Sequence, residues 1–531
     1  MTTLAPALPH ARRSPAGVVA LGVFAVLPAA LALLTAWRAP RGHVLLDYWH
    51  VLAKITDDRG HLLLGQVFTY HLDQPFVIPS LLFYADAAWF GGDNRVLTLL
   101  TVVLVGGIVA CLSSMLPESF SLPRKAALTA GFAWLLFTSH AAELWLQGTN
   151  GISWIPAVFL STLAIAGAHH GRRRTAAAAA LLAALSFGAG LPAFLVVAAI
   201  FLLRRENWRR ILIQAGLGVA VLGMWLLTKP SGAQSLATTA FDPDGRLSVA
   251  TAVLGSLWSG DQAVIAILAG ALTTALLATC TVALRPDRRA SGWIGLAGYA
   301  VTLASLVALG RTSNLVPGGN VGLISRYAVI GALATSALLG LAALVRPQWP
   351  VTGMVIGIVA ISLATHAVGA TKADLTRRGY APLALAPIAL RVDAPEVLDQ
   401  LHIQRDVIPA ARALGAYPFT PHFTIGCHGP ELGTILNPAT ATALPVAGGA
   451  ITTPNPVGGI LLTGWTATRP DCIFVTDPMG TVTGAGVTGL PSPAPGIPDG
   501  QGWQATARQS AGPVTVYAGL GGRFYRLQQK E

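Results

Sequence analysis

Asp47, His50 and Lys54 fall at i, i+3 and i+7, the spacing that sets three side chains on one face of a helix. A carboxylate on that face is a general base if it looks into a cavity and a solvated charge if it looks into water. Position alone leaves both open. Two further polar side chains, His71 and Asp73, stand at i and i+2 in His71-Leu72-Asp73-Gln74-Pro75. They suit a sugar hydroxyl, a metal ion or the orientation of Asp47. Two ligands do not make a metal site by count, so a divalent cation stays an option and no cofactor is assigned. Arg311 and Arg326 ask for an anion, which a phosphate at the membrane surface, a loop carboxylate or a lipid headgroup would supply.

These groups stand out because titratable chemistry is scarce. Only 11% of the 531 residues are charged and 53% are hydrophobic, with a mean hydropathy of +0.60. Such a chain is too apolar for a soluble fold and long enough for a polytopic membrane region plus one further domain. Asp47, His50, Lys54, Asp57, Asp58, Arg59, His61, His71, Asp73, Asp86 and Asp93 all lie in residues 37–95, just after the first apolar segment. That stretch is the candidate active site. The net charge of +12 does not point to a nucleic acid, because the arginines fall in short clusters between apolar runs, as orientation signals do.

About eleven apolar segments are expected to cross or nearly cross the bilayer, near 16–37, 96–116, 126–139, 154–168, 175–187, 190–203, 211–228, 263–284, 291–310, 327–345 and 351–370. Basic residues at 124–125, 172–174, 204–210, 285–289 and 346 alternate with outside loops, of which those at 140–153 and 188–189 carry no arginine. The positive-inside rule then puts the amino terminus in the cytoplasm and the carboxyl terminus outside. The fifth and sixth segments are short and meet at Ser186-Phe187-Gly188-Ala189-Gly190-Leu191-Pro192. Breakers there, with arginines on both flanks, predict a hairpin whose tip lies in a water-filled cavity. Residues 247–258 are expected to form an interfacial helix.

The chain divides into a membrane region, 1–370, and an extracytoplasmic domain, 371–531, where Pro, Gly and Thr rise and the long apolar runs stop. Short alternating strands at 460–467, 472–476, 481–487, 502–508, 514–518 and 524–527 predict a small β-sandwich, preceded by a helical part at 394–414. Cys427 and Cys472 are the two cysteines of that domain and are expected to form a disulfide. Trp465, Trp503, Tyr517 and Tyr525 follow the alternation of core aromatics. No sugar site is assigned to them, although the domain stays a candidate carbohydrate-binding module.

Asp47 after the first span, the long first loop, the short hairpin and the late Arg-bearing loop together resemble the GT-C superfamily of integral membrane glycosyltransferases. More narrowly, Asp47-Tyr48-Trp49, His71-Leu72-Asp73-Gln74-Pro75 and Gly310-Arg311 through Ser325-Arg326-Tyr327 look like a group of bacterial membrane proteins. In that group the first motif reads Asp-Asp-Trp or similar and the second approaches His-Asn-Glu-His-Arg. Here Asp73 stands at the Glu position and Gln74-Pro75 where His-Arg would be. Gly464-Trp465 and Gly502-Trp503 resemble the group's appended β-sandwich domains.

The resemblance implies a multi-pass protein of the bacterial plasma (inner) membrane. It implies transfer of a sugar from a polyprenyl-phosphate donor to a glycan, lipid or protein acceptor on the external face, among membrane lipids. Asp47 would be the base, with His50, His71, Asp73, Gln74, Arg311, Arg326 and Tyr327 binding substrate. The alternatives are a transporter or flippase for lipid-linked glycans, which would place ionisable groups at mid-membrane and show repeated halves, and a non-catalytic assembly partner.

Overall fold

A computed structural model describes residues 15–42, 47–230, 243–285, 287–311, 319–346, 350–421, 423–436, 441–492, 494 and 496–529. Residues 312–318 of the loop between Arg311 and Arg326 lie outside them.

Helix α1 (Pro15–Arg38) is followed by three helices of the candidate loop: α2 (Asp47–Ile55), α3 (Leu64–Val67) and α4 (Val77–Phe90). The helical region continues with α5 (Asn94–Ser114), α6 (Leu122–Leu136), α7 (Ala142–Leu146), α8 (Gly148–His169), α9 (Arg173–Ser186), α10 (Ala193–Leu203), α11 (Trp208–Thr228), α12 (Pro243–Gly255), α13 (Ala263–Leu284), α14 (Ser291–Gly310), α15 (Ala328–Val345) and α16 (Val351–Tyr380). All eleven expected segments are helical. Among the described residues, eight (α1, α5, α8, α11, α13, α14, α15 and α16) are long and apolar enough to cross a membrane. The chain is an integral membrane protein.

The other three, α6, α9 and α10, have 15, 14 and 11 residues. At 1.5 Å per residue each falls short of a ~30 Å hydrocarbon core. α9 and α10 form the expected hairpin. Arg173 Nη2 lies 3.4 Å from Glu206 Oε2 and Arg204 donates to the His169 carbonyl, so the two outer ends meet, which one kinked helix would not allow.

Arg124 donates to the Ala343 carbonyl at 2.7 Å, and the Gly292 N–H approaches His169 Nδ1 at 3.3 Å. These contacts gather the basic clusters at one end of the helical region. The candidate loop sits at the other. Close helix approach depends on small residues, as it must where lipid gives no hydrophobic drive between helices. A Cβ at Gly151 would lie 2.2 Å from Thr101 Oγ1, and one at Gly340 2.4 Å from the Trp293 ring. α12 differs from the expected interfacial helix: its Ala252 and Val253, and Leu257 in the turn that follows it, are fully buried, so its apolar face is spent on neighbouring helices.

α16 runs through 370/371 to Tyr380 and leads to α17 (Ala386–Val392), α18 (Pro395–Gln400) and α19 (Val407–Leu414). The β-rich domain follows. All six expected strands are present as β3 (Leu462–Thr466), β4 (Cys472–Thr476), β5 (Val482–Leu490), β6 (Gly502–Ala507), β7 (Thr515–Leu520) and β8 (Arg523–Arg526). β1 (Thr442–Ala443), β2 (Gly449–Ile451) and β9 (Gln528–Gln529) add to them.

They form one sheet in the order β1-β8-β7-β4-β5-β6-β3-β2-β9. Because β8 and β9 are separated only by Leu527 and pair near opposite edges, the sheet nearly closes on itself. Ile451, Leu462, Ile473, Val475, Trp503 and Val516 fill its inside. Trp465, Trp503 and Tyr517 are buried. Cys427 and Cys472 are disulfide-bonded, with Cα atoms 5.4 Å apart.

The outer face of the sheet shares a core with the candidate loop. Tyr48, Trp49, Leu52, Phe76 and Phe83 pack in one cluster with Leu390, Val397, Val407, Phe474 and Tyr517. Tyr417 N–H donates to the Gly91 carbonyl at 2.6 Å, just where Gly91, at φ +72°, ends α4.

Candidate active site

α2 is a helix with two unlike faces. Tyr48, Trp49, Val51, Leu52 and Ile55 are buried, against α4 on one side and α19 on the other. Asp47, His50 and Lys54 keep the open face. The carboxylate in the first turn also suits the positive end of the helix dipole. The back of α2 is pinned by Tyr48, whose hydroxyl donates to Asp86 Oδ2 at 2.9 Å. Burial pushes the Asp86 carboxyl up to about 8, against the Tyr48 hydrogen bond. Burial therefore favours its neutral form.

The sequence from His71 to Gln74 folds as a tight turn. His71 N–H donates to the Gln74 carbonyl at 3.0 Å and Gln74 N–H to the His71 carbonyl at 2.9 Å. This turn brings His71 Nε2 to 3.2 Å from Asp47 Oδ1, close enough for an ion pair though off the line of a full hydrogen bond. Burial pushes the Asp47 carboxyl up. The imidazole of His71, and then the charges of Arg326 and His50, outweigh it, and Asp47 ends below the usual carboxylate range. The side chain of His71 is 8% exposed and that of Asp47 38%, so the carboxylate sits at the mouth of the site with the imidazole behind it.

Five hydrogen bonds hold the turn. Lys54 Nζ donates to the Thr69 and Tyr70 carbonyls at 3.3 and 3.2 Å. Trp225 Nε1 of α11 donates to the Asp73 carbonyl at 2.7 Å. Gln74 Nε2 donates to Asp73 Oδ1 at 2.7 Å, and Gln74 Oε1 accepts from the Gly188 N–H of the hairpin tip at 3.0 Å. Asp73 and Gln74 therefore serve as anchors between loop, hairpin and α11.

A second polar cluster reaches Asp47 through the charge of Arg326. Glu143 Oε1 accepts from Arg326 Nη1 at 2.7 Å and from Asn150 Nδ2. Its Oε2 accepts from the Arg326 N–H at 3.2 Å. Ser325 Oγ links the His140 carbonyl at 2.6 Å to the Glu143 N–H at 3.1 Å. Lys372 of α16 donates to the Leu323 carbonyl. Asn94 clamps this cluster to the candidate loop: its Nδ2 donates to Pro40 and Leu146 carbonyls and its Oδ1 accepts from Gly148 N–H.

The structure thus brings Asp47, His50 and His71 together, with His50 and His71 ring centres 6.5 Å apart. Arg326 is within electrostatic reach, and Tyr327 lies beside it, its ring centre 5.3 Å from the guanidinium carbon. Arg311 caps the end of α14 in an exposed position and leads into residues that are not described.

Glu143 escaped the sequence reading, as did Asn150 and Lys372. A signal for the first two existed: Glu143, Gln147 and Asn150 stand at i, i+4 and i+7 in an otherwise apolar run. Among the described residues no three His, Cys, Asp or Glu side chains converge as a metal centre would require.

No protein-family model matches the chain, and no curated protein matches it in sequence. Among solved structures, the crystal structure of ArnT from Cupriavidus metallidurans bound to undecaprenyl phosphate is similar over 75% of this chain and 85% of that one, at 14% identity and a TM-score of 0.40. A likeness of that size sets no residue role and no substrate, and the chemistry rests on the site itself.

Proposed function

We propose that this protein is a membrane glycosyltransferase of the GT-C kind, moving a sugar from a polyprenyl-phosphate donor to an acceptor hydroxyl of the cell envelope. The observation that carries the reading is an aspartate held ionised by a buried imidazole, at the end of a membrane helical bundle, with an arginine close enough to influence it. The motifs around Asp47, His71 and Arg326 and their resemblance to the GT-C superfamily agree with it.

Asp47 takes the proton of the acceptor hydroxyl as that oxygen bonds to the anomeric carbon. The bond from that carbon to the lipid phosphate breaks, and the phosphate leaves with the electron pair. Arg326, with 30% of its side chain exposed despite its bond to Glu143, stabilises the charge growing on the leaving group. His71 keeps Asp47 charged and oriented until the proton arrives. Both substrate ends fit a site at a bilayer surface: the carrier lipid stays in the leaflet and the acceptor comes from water. The domain after α16 completes the wall behind α2 and belongs on the external side with it.

Transfer from a polyprenyl-phosphate sugar by the purified protein in proteoliposomes tests the reading. Asp47→Asn should lower turnover by ~10² or more with the fold intact, because an amide keeps the shape and cannot take the proton. Asp57→Asn should cost little, since Asp57 Oδ1 only closes an exposed turn through the Arg59 and His61 N–H groups. Near-wild-type turnover in Asp47→Asn would remove Asp47 from the mechanism.

A further inference from the structure

One segment of the candidate loop carries apolar side chains that none of the described residues covers. Leu64, Phe68 and Leu72 are 64%, 69% and 63% exposed, while Val67 and His71 between them are buried. The segment cannot turn those side chains inward, because its backbone is already committed. Leu63 N–H donates to the Ile55 carbonyl at 2.7 Å, and Lys54 holds the Thr69 and Tyr70 carbonyls. Leu72 also sits at φ +56°, a left-handed conformation that a branched side chain adopts at a cost. In water, neither the exposure nor the strain would be offset.

The same segment is fastened to the end of α11. Tyr70 and Thr228 hydroxyls are 2.7 Å apart, and Trp225 Nε1 holds the Asp73 carbonyl. α11 is one of the helices able to cross a membrane, and near that end Met224, Leu226 and Leu227 are 59%, 55% and 87% exposed, as lipid-facing residues are. Lys229 Nζ lies 5.6 Å from the Trp225 ring centre. A tryptophan, a tyrosine and a lysine at the end of a membrane helix mark the headgroup level. The apolar surface of α11 therefore continues onto the loop.

We infer that residues 63–72 form a lipid-seated anchor, with Leu64, Phe68 and Leu72 inserted into the upper hydrocarbon of the leaflet on the site's side. The partner is acyl chain rather than another protein, because the patch continues a lipid-facing helix. The anchor fixes the height of His71 above the bilayer, and hence of Asp47. It stands independently of the reaction proposed above.

The test uses the full-length protein in liposomes of phosphatidylethanolamine and phosphatidylglycerol. Leu64→Cys, Phe68→Cys and Leu72→Cys are each made in a background carrying Cys111→Ser and Cys280→Ser and labelled with an environment-sensitive fluorophore. Asp58→Cys, on the charged turn of the same loop, is the reference. Lipids with a nitroxide high on the acyl chain should quench each apolar position several-fold more than the reference, and aqueous iodide several-fold less. Iodide quenching equal to the reference would overturn the inference. Shielding from both quenchers would overturn it too, since a protein surface would then cover the patch. The three positions are read separately, so a variant that fails to fold leaves two that decide.

Discussion

Replacing Glu143 with glutamine keeps its volume and removes the charge that holds Arg326, which makes it a sensitive probe of the polar cluster. Removing one partner of a buried ion pair costs about 3–5 kcal/mol, most of it the penalty of the stranded charge. Glu143 is 4% exposed and Arg326 30%, so water reaches the guanidinium left by Glu143→Gln and the expected loss falls below that range, ~2–3 kcal/mol. Arg326→Met strands the more deeply buried carboxylate, with the upper end expected, ~4–5 kcal/mol. The double variant should cost less than the sum by ~1–3 kcal/mol, because neither charge is then stranded. Equilibrium unfolding in mixed micelles, followed by tryptophan fluorescence, gives all three values. Glu143→Gln should also bind polyprenyl phosphate more tightly, as the freed guanidinium gains a phosphate in place of a carboxylate. Additive losses, agreeing within ~0.5 kcal/mol, would refute the claim that the two charges depend on one another.

Gln74→Ala releases the loop from the hairpin tip at Gly188, and should lower turnover ~10-fold or more through misplacement of His71 and Asp47 while the protein stays folded; Trp225→Phe, which loses one bond from α11, should act in the same direction. Unchanged turnover in both would show that the turn needs neither anchor. Asp86, raised to about 8 by burial, favours the folded state fully below its unfolded value near 3.8 and loses that contribution as pH rises to about 8. Unfolding midpoints should therefore fall across that window, and Asp86→Asn should flatten the slope. Reducing the Cys427–Cys472 bridge should cost about 2–4 kcal/mol by loosening the unfolded chain, read as a lower denaturant midpoint in reductant.

How much of this was legible in the sequence varies with the range of the interaction. The face bearing Asp47, His50 and Lys54 could be read because α2 buries Tyr48, Val51, Leu52 and Ile55 at helical spacing. The hairpin could be read from a breaker between two arginine-flanked runs, and six strands from their alternation. β1, β2 and β9 have two or three residues each, too few to show a period, so the near-closure of the sheet was not visible. Glu143 lacked charged neighbours in sequence, and its partner Arg326 is 183 positions away. The Tyr48–Asp86 bond joins two residues of the loop across 38 positions, and each reads locally as an ordinary helix residue. The contact of Gln74 with the hairpin tip was not legible for a related reason: a side-chain amide carries no sign of which backbone N–H it will meet.

The shared core between the first loop and the last domain has a consequence for how the protein is made. Residues 47–90 leave the ribosome early, yet the surface that α2 and α4 pack against comes from residues 385–520, near the end of the chain. At ~5–20 residues per second, tens of seconds separate the two. During that interval Trp49, Leu52 and Phe83 have no complete partner surface, and Asp47 has no fixed backing. The polar face of α2 is thus a late product of synthesis, assembled only once the final domain arrives. A chain truncated before β4 would be inserted without it, and a nascent molecule would reach the bilayer before that face was complete.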